Sequence, residues 1–445
     1  MPAPENVDTH QKALSINLDA TIFGNFAEIG AGQEVARWFL RVGGASGTVA
    51  KTISAYDKEV SDHLYGAGTR YVSRERLESM LGIEWGHLIT GLQASRGATT
   101  RFFTYVDTIS ARNYSGSNEC HGWVGLRFLQ QPEGQPNDVI LHVNLCDPSN
   151  LLQQEAVGIL GVNLIYAAFH HLASPEEFLA SVFEELGLQR MEIDLVDLSG
   201  PAFEKWDLWK IQAMLVMGSY AEAVVFPADG KLVPPTELLY KKALVLGLPL
   251  GSFETVEDLH MHMIQVTLAG LPHEEVERSK GALGLFCLAS VPLIQKEPPV
   301  TAEHLLRRTD EVRQLGSGVM LFRDWELYSM GAYVSRYTKS RVHFAAGLSA
   351  LIFALQDRYK DLPGALLEGV ARLFTQNVRL SVHPMPVATL KRRLESMGAT
   401  AWRYKETNGM VYAEDLEPAE PLNHLYRYLL GSNYILSVRP APQRS

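Results

Sequence analysis

Side chains that could carry out acid–base or nucleophilic chemistry lie close together between residues 107 and 121. They are two carboxylates, a guanidinium, a thiol and an imidazole, from Asp107, Arg112, Glu119, Cys120 and His121. A carboxylate, a guanidinium and an imidazole on one surface shift one another's pKa values and suit proton transfer or the binding of an anion. Such groups are also costly to bury without a purpose. We therefore predict that Asp107, Arg112, Glu119 and His121 meet in space, on neighbouring antiparallel strands, and form the functional centre.

Cys120 could act as a nucleophile if a base from a neighbouring strand reaches it. Cys120 and His121 are adjacent, so their side chains point to opposite sides of a strand. The base would have to be His142 or Asp107. The alternative is that Asn and Asp residues cap turns in this region, while Cys120 and His121 are ordinary half-buried side chains. The sequence leaves both interpretations open.

Two glycine-rich stretches on either side of one predicted helix have a composition typical of phosphate binding. Gly30 and Gly32 precede the helix, and the stretch after it holds Gly43, Gly44, Gly47, Thr48, Lys51 and Thr52. Glycine lets backbone N–H groups converge on an anion, and a lysine beside a threonine adds a cation and a hydroxyl. The spacing is not that of a P-loop, in which lysine directly follows the last glycine. We expect a pocket walled by residues 43–48 and by Lys51; the alternative is that these glycines permit close helix packing and a tight turn.

Other acidic residues carry weaker signals. Asp229 and Gly230 follow an apolar strand as in haloacid-dehalogenase-type phosphatases, but Pro227 stands at the nucleophile's position, so a simple turn is the better interpretation. Asp194 and Asp197 end a predicted strand, where parallel sheets place ligands. They have no histidine or acidic partner at metal-ligand spacing, so we predict no metal site.

The elements that must position these residues differ along the chain. Between residues 100 and 150, β-branched and aromatic runs separated by polar, glycine-rich turns are typical of antiparallel strands. Before them, an extended apolar segment passes through glycines into a helical pattern. We predict a loose polar tail over residues 1–15 and one α+β unit over residues 16–150.

From residue 151 to residue 385, short strands that are apolar throughout alternate with amphipathic helices. The predicted strands are 191–198, 222–226, 284–290, 318–322, 341–347 and 378–384. This alternation predicts a parallel sheet covered on both faces, and residues 386–445 add a helix, a hairpin and a final strand. The fold class is therefore α/β, with an N-terminal α+β unit containing antiparallel strands followed by a mainly parallel, doubly wound α/β region.

Composition argues against several classes of protein. The chain has 445 residues, 46% of them hydrophobic and 20% charged, and a formal net charge of −10. That charge opposes nucleic-acid binding, which needs rows of lysine and arginine. The sequence lacks a long uninterrupted apolar run and begins with a polar segment, so we expect a cytoplasmic protein without a membrane partner. The three cysteines, Cys120, Cys146 and Cys287, make neither a C-x-x-C pair nor a disulfide framework.

Four segments of the chain carry a resemblance to a known family: residues 16–39, 43–57, 115–128 and 151–169. Through them the chain resembles bacterial proteins of comparable length that are described as nicotinate-nucleotide adenylyltransferases. The resemblance covers most of the chain. It implies a motif of the form G-x-F-x-P-x-H-x-G-H, whose two histidines bind and polarise the triphosphate of ATP.

The motif that the resemblance implies falls on the first glycine cluster. Its glycines and its phenylalanine are matched by Gly24, Gly32 and Phe26. Glu28 stands in the place of the proline, and Gly30 and Gln33 stand in the places of the two histidines. Because those imidazoles stabilise the charge that develops on the phosphates, we expect no adenylyl transfer to nicotinate mononucleotide.

Three functional hypotheses from different classes follow from these observations. The first is a transferase-like enzyme acting on a nucleotide or another phosphorylated small molecule, with the glycine stretches holding the phosphate and residues 107–123 acting on the rest. The second is a hydrolase or transferase that uses Cys120 as its nucleophile. The third is a non-catalytic scaffold or sensor derived from a nucleotide-binding fold. We favour the first, with a nucleotide as the candidate cofactor; homo-oligomer formation is left open.

Overall fold

The computed structural model describes residues 7–68, 70–248, 258–290, 301–356, 359, 361–374 and 377–439. The chain divides into two compact units, Met1–Glu222 and Ala223–Ser445. The division lies at residue 222 rather than at residue 150, where the sequence predicted it. The reason is that a long helix and a further antiparallel strand after residue 150 pack onto the strands that precede it.

The first unit is built on one mixed sheet. In chain order it contains α1 (Thr9–Leu18), β1 (Ile22–Ile29), α2 (Glu34–Arg41), β2 (Val49–Ile53), α3 (Lys58–Tyr65), α4 (Arg74–Arg96), β3 (Arg101–Ser110), β4 (His121–Leu129), β5 (Pro136–Leu145), α5 (Asn150–His170), α6 (Pro175–Val182), β6 (Met191–Ser199) and α7 (Leu208–Met217). The strand order is β2-β1-β3-β4-β5-β6. β1 pairs in parallel with β2 and β3, whereas β3 to β6 are antiparallel neighbours. The predicted antiparallel strands are confirmed, but β6 belongs to this sheet and not to the parallel one.

Helices cover the two faces of this sheet. On one face, the Phe169 ring of α5 contacts the rings of Phe103 and Phe128. On the other, Leu77 of α4 lies so close to Gly125 that a Cβ there would come within 3.1 Å of it. Side chains alternate between faces along each strand. We call these surfaces the α5 face and the α4 face.

Among the described residues, α5 is the one helix that is long and apolar enough to cross a membrane, with a mean hydropathy of 1.2 over its most apolar window. Of the residues in that window, 72% are buried inside the protein. Gly158 and Gly161 let α2 approach closely, since a Cβ on Gly161 would come within 2.2 Å of Val35. α5 is thus packed as a core helix of the first unit.

A helix occupies much of the segment that the sequence predicted to be a loose tail. Asp8 and Gln11 form a capping box at the N-terminus of α1. The Lys12 ammonium is buried, donates to Asn163 at 2.8 Å and pairs with Glu184 at 2.5 Å. The prediction of a tail failed because the polar residues of α1 have partners that are distant in sequence.

The second unit is built on a mainly parallel sheet. Its elements are β7 (Ala223–Phe226), α8 (Pro235–Leu239), β8 (Ala243–Gly247), α9 (Asp258–Ala269), α10 (His273–Glu277), β9 (Ala282–Ala289), α11 (Ala302–Gln314), β10 (Gly318–Phe322), α12 (Leu327–Val334), β11 (Val342–Gly347), α13 (Leu348–Ala354), α14 (Ala365–Leu373), β12 (Val378–His383), β13 (Met385–Pro386), α15 (Val387–Ser396), β14 (Trp402–Tyr404), β15 (Met410–Val411), β16 (Leu416–Pro418), α16 (Leu422–Gly431) and β17 (Ile435–Ser437). The main sheet has the order β17-β12-β11-β8-β9-β10-β7, and its pairs are parallel except that between β7 and β10. The predicted α/β fold class is confirmed.

Candidate functional site

The N-terminus of α2 holds a carboxylate of the protein itself. Glu28, at the end of β1, accepts hydrogen bonds from the backbone N–H groups of Val35 at 3.0 Å and Ala36 at 2.9 Å. Helix N-termini attract anions because their N–H groups are unpaired. Gly30 has a φ of +98°, and a Cβ there would lie 1.9 Å from the Ile109 carbonyl oxygen. The first glycine cluster therefore permits close packing, and Glu28 occupies the position at which we expected a phosphate.

The second glycine cluster forms a tight turn. Gly43 and Gly44 have φ values of +95° and +75°, which glycine adopts readily. The Asn17 amide donates to the Gly43 carbonyl at 2.7 Å. The backbone N–H groups of Gly47 and Thr48 donate within the turn, each at 3.0 Å. These two amides, which we expected in the wall of a phosphate pocket, are therefore already paired.

Lys51 and Thr52 also have partners within the protein. The Lys51 ammonium lies 2.5 Å from a carboxylate oxygen of the buried Glu84. Glu84 also accepts hydrogen bonds from Tyr65 at 2.9 Å and Asn25 at 3.2 Å. The Thr52 hydroxyl accepts a hydrogen bond from the Gln33 side chain next to Gly32. Lys51 is thus the counter-ion of Glu84, and the structure does not direct it into the predicted pocket.

Asp107 lies beside Glu28 on the α5 face. The two residues are direct neighbours across β3 and β1, and both are buried. Asp107 accepts hydrogen bonds from the Ile29 N–H at 3.1 Å and the Tyr105 hydroxyl at 3.3 Å. Burial raises the pKa of Glu28 to about 7. Burial, reinforced by the nearby Glu28, raises the pKa of Asp107 well above its usual range.

The structure does not bring Asp107 and His121 together. In the antiparallel pair of β3 and β4, Asp107 lies opposite Val124, whereas His121 lies opposite Ser110. The two side chains consequently lie on opposite faces of the sheet. The sequence correctly indicated two neighbouring strands, but the register of those strands separates Asp107 from His121.

The other predicted members of the cluster lie before β4 and remain apart from His121. Arg112 and Glu119 are exposed, and no ion pair joins them within the part of the chain that the structure describes. The Cys120 thiol is half-buried, and its one described contact is a hydrogen bond to the Asn118 carbonyl at 3.7 Å. Neither His142 nor Asp107 contacts it, so the nucleophile hypothesis for Cys120 lacks its base.

A chain of buried hydrogen bonds links three side chains on the α4 face. His121 Nδ1 lies 3.0 Å from His142 Nε2, and His142 Nδ1 lies 2.6 Å from Asp194 Oδ1. The Asn144 amide donates to Asp194 Oδ2 at 2.7 Å. The edge of Trp123 packs against the His142 ring, with centroids 4.9 Å apart. We call Asp194, His142 and His121 the histidine chain.

The partners of Asp194 determine where the protons of the histidine chain lie. Asp194 accepts a hydrogen bond from Asn144 at Oδ2, and a carboxylate can only accept at Oδ1 as well, which assigns a proton to His142 Nδ1. In a neutral His142 ring, Nε2 then has a lone pair, and His121 Nδ1 donates to it. In the neutral ring, His121 Nε2 consequently carries the second lone pair. No described residue donates to that nitrogen, so the chain ends in a free proton acceptor.

The surroundings of His121 keep its ring neutral. Burial, followed by the neighbouring His142, lowers the pKa of His121 to about 4, and the charge of Arg70 acts in the same direction. Arg70 is exposed, whereas His121 is 8% exposed. At neutral pH the imidazole is therefore an unprotonated base, close enough to the surface cation to respond to its charge.

A β-bulge places the acidic end of the histidine chain. His142 pairs with Leu195 and Val143 pairs with Ile193, so Asp194 is the extra residue in β6. Bulges redirect a side chain out of the regular alternation. Asp194 and His142 both stand out in the sequence, but as a metal-ligand candidate and as a base for Cys120, respectively. Alternating polar residues within apolar strands were the available signal, whereas the bulge gave none.

The remaining candidates from the sequence have structural partners. Asp197 pairs with Arg74 at 2.5 Å. Asp229 accepts a hydrogen bond from the Lys231 N–H at 3.1 Å, and Gly230 has a φ of +74°, as expected for the predicted turn. Within the described ranges, no group of three or more His, Cys, Asp or Glu side chains could hold a metal ion.

No protein-family model matches this chain. No curated protein matches it either. Solved structures that match part of it include the competence/damage-inducible protein CihA from Agrobacterium tumefaciens, 20% identical, covering 36% of this chain and 94% of that chain with a TM-score of 0.27. Another is a competence-damaged protein (CinA) superfamily protein from Escherichia coli, 13% identical, covering 38% of this chain and 93% of that chain with a TM-score of 0.26. At these TM-scores, the likeness supports no argument about this chain.

Proposed function

We propose that this protein is an enzyme that transfers a proton to or from a phosphorylated small molecule, with His121 as the general base. The observation that carries this proposal is the histidine chain, which leaves a lone pair on His121 Nε2 and connects the ring to a buried carboxylate. A base oriented by a second group is the arrangement that general acid–base catalysis requires.

The histidine chain would also stabilise the protonated form of the base. When His121 Nε2 takes a proton from the substrate, its Nδ1–H donates more strongly to His142 Nε2. His142 in turn donates to Asp194, whose negative charge lies at the far end of the chain. Positive charge that develops on His121 is thus spread toward a carboxylate. The same ring can later return the proton to the product.

Arg70 supports an anionic substrate. Its guanidinium is exposed and its charge lowers the pKa of His121. A phosphate bound by Arg70 would offset that charge and place negative charge near the ring, which favours the protonated imidazole. Substrate binding would therefore raise the pKa of His121 from about 4 toward neutrality, where a general base works best.

The test is a turnover screen with the full-length protein. Sugar phosphates and nucleoside mono- and triphosphates are incubated with the parent, with His121→Gln and with the control His87→Gln, and followed by ³¹P NMR and mass spectrometry. His87 is an exposed histidine of the same unit. We expect His121→Gln to lose about 10²- to 10⁴-fold in rate, and His87→Gln to match the parent. Turnover that is equal in all three proteins would contradict the role of His121.

A non-catalytic role is the second candidate, and a different observation favours it. Glu28 fills the anion position at α2, and Lys51 is the counter-ion of Glu84. The features that could have cradled a nucleotide phosphate are thus occupied by the protein's own groups. Absence of turnover throughout the screen, combined with unchanged melting temperature in the presence of each compound, would favour this alternative.

A further inference from the structure

The second unit contains a cavity of about 540 Å³ on one face of its main sheet. Its polar lining comes from the strands β11 and β12, from the end of α16 and from the residues after β17: Arg341, His343, Arg379, Ser381, Asn433 and Arg439. Small-molecule sites commonly have volumes of roughly 300–1,000 Å³. The cavity is therefore large enough for a phosphorylated metabolite and larger than a single inorganic anion needs.

Two of the three arginines around this cavity have a carboxylate partner. Arg341 lies 3.6 Å from Glu275, and Arg439 lies 2.6 Å from Glu414. Arg379 has no ion-pair partner among the residues that the structure describes. Its guanidinium donates to the Val378 carbonyl at 2.7 Å. The lining thus carries a net positive charge in a chain whose formal net charge is −10.

The surroundings of Arg379 favour an anion in the cavity. Its side chain is half-buried and lies over the Tyr434 ring, 5.0 Å from the centroid. Burial, together with the nearby Arg341, lowers its pKa. Two guanidinium groups that repel each other next to a cavity are stabilised when an anion lies between them.

Polar side chains beside Arg379 can complete the recognition of an anion. His343, Arg379 and Ser381 lie on the same face of β11 and β12, because His343 is opposite Arg379 in the register. The His343 ring nitrogen Nδ1 lies 3.0 Å from the Ser381 hydroxyl. Leu271 and Leu436 supply an apolar part of the lining. The cavity therefore combines an anion-binding end with a surface for an organic body.

We infer that this cavity binds the phosphate group of a phosphorylated small molecule, with Arg379 and Arg341 as the principal phosphate ligands. The site lies wholly within the second unit and is independent of the role proposed for His121. Arginine suits it because its planar guanidinium can donate two parallel hydrogen bonds to one phosphate.

The test is isothermal titration calorimetry of the full chain with inorganic phosphate, ribose 5-phosphate, 5′-AMP and adenosine. We expect ribose 5-phosphate or 5′-AMP to bind more tightly than inorganic phosphate, and adenosine not to bind. Arg379→Gln and Arg341→Gln should each weaken binding about 10- to 100-fold, the loss typical of a hydrogen bond to a charged group. Arg392→Gln, which changes the charge of an exposed helix residue equally, should bind like the parent.

Several outcomes would overturn the inference. They are no binding of any phosphate compound at millimolar concentration, equal binding by the parent and both arginine variants, and binding of inorganic phosphate alone. If Arg379→Gln lowers the melting temperature, Arg341→Gln decides the question, because its side chain is 50% exposed and contributes little to packing. His121→Gln should retain the binding, which separates this site from the histidine chain.

Discussion

The two faces of the first sheet bury ionisable groups in different ways. On the α5 face, Glu28 and Asp107 are adjacent carboxylates whose partners are backbone N–H groups and Tyr105. On the α4 face, Asp194 is connected through His142 to His121, whose Nε2 has no described donor. In the carboxylate pair, Glu28 and Asp107, both side chains have hydrogen-bond partners within the protein. In the histidine chain, the nitrogen at the end near the surface has no described donor.

This difference separates a structural role from a chemical one. In a closed network every polar group already has a partner, so it holds elements together, as Glu28 holds the start of α2 against β1. A network with one unsatisfied group can exchange a proton with a ligand. Density of polar residues in the sequence does not distinguish the two cases, because only the register and the final partner decide between them.

The largest expected effect on the α5 face concerns stability as a function of pH. The pKa of Glu28 is about 7 in the folded state and 4.5 ordinarily. The folded protein therefore binds more protons than the unfolded chain in that interval, and the free energy of unfolding falls as the pH rises through it. The contribution of one such group is about 3 kcal/mol.

Glu28→Gln should remove this contribution, so that its free energy of unfolding rises more steeply with pH between 4.5 and 7 than that of the parent, which urea denaturation measures. Glu59→Gln serves as the control, since Glu59 is an exposed carboxylate of the same unit. An unchanged pH dependence in Glu28→Gln would show that the carboxylate pair is not the group that retains the proton.

An effect of similar size but opposite sign is expected on the α4 face. The pKa of His121 is about 4 in the folded state and 6.5 ordinarily. The unfolded chain binds more protons in that interval, so stability falls as the pH decreases from 6.5 to 4. His121→Gln should abolish this loss of about 3 kcal/mol.

Nitrogen NMR of the imidazoles checks the same histidine directly. At pH 7 the His121 ring should carry its proton on Nδ1 and none on Nε2. A His121 ring that titrates near its ordinary pKa in the folded protein, or one that is protonated on Nε2, would disprove the proton arrangement derived from Asp194. In the parent, the two faces should partly cancel in the pH range that they share, so that only the variants reveal either contribution.

These same residues show which features of the fold and of the candidate site could be predicted from the sequence. The apolar strands and the α/β class follow from residue types alone, and His121 was identified by its polar neighbourhood. The face of Asp107 depended on the register of β3 and β4, which the long polar connection between them does not determine. Asp194 joined the site through a bulge, and Lys51 found its counter-ion in α4, distant in sequence. Such partners are properties of tertiary structure.

A smaller effect on the free energy of unfolding is expected when Asp194 or Asp107 is replaced by the isosteric asparagine. Asp194→Asn replaces an acceptor by an amide whose N–H₂ faces the Asn144 amide or the His142 N–H, so a buried donor loses its partner. We expect a loss of about 2 kcal/mol in the free energy of unfolding. Asp107→Asn should cost less than about 0.5 kcal/mol, because burial and the nearby Glu28 raise the pKa of Asp107 and so favour the neutral carboxyl, which an amide resembles. Urea denaturation of both variants gives the comparison, and equal losses would contradict it.

An effect smaller than that of Asp194→Asn is expected for Lys51, on the α4 face. Lys51→Met removes the counter-ion of Glu84, but Tyr65 and Asn25 still donate to that carboxylate. The Lys51 side chain is 41% exposed, so solvent weakens the ion pair, and we expect a loss of only about 1 kcal/mol. Lys205→Met, at an exposed lysine of the same unit, should leave the free energy of unfolding unchanged.

The response of the Lys51 variant to nucleotides then discriminates between a structural and a ligand-binding lysine. If Lys51 serves Glu84, ATP and AMP should shift the melting temperatures of the parent and of Lys51→Met equally, because the ammonium is already paired. A phosphate-binding lysine would give the reverse pattern: little effect on stability without ligand, and loss of the nucleotide-induced shift in the variant. That second pattern would place a phosphate at the glycine turn and assign Lys51 to a ligand site.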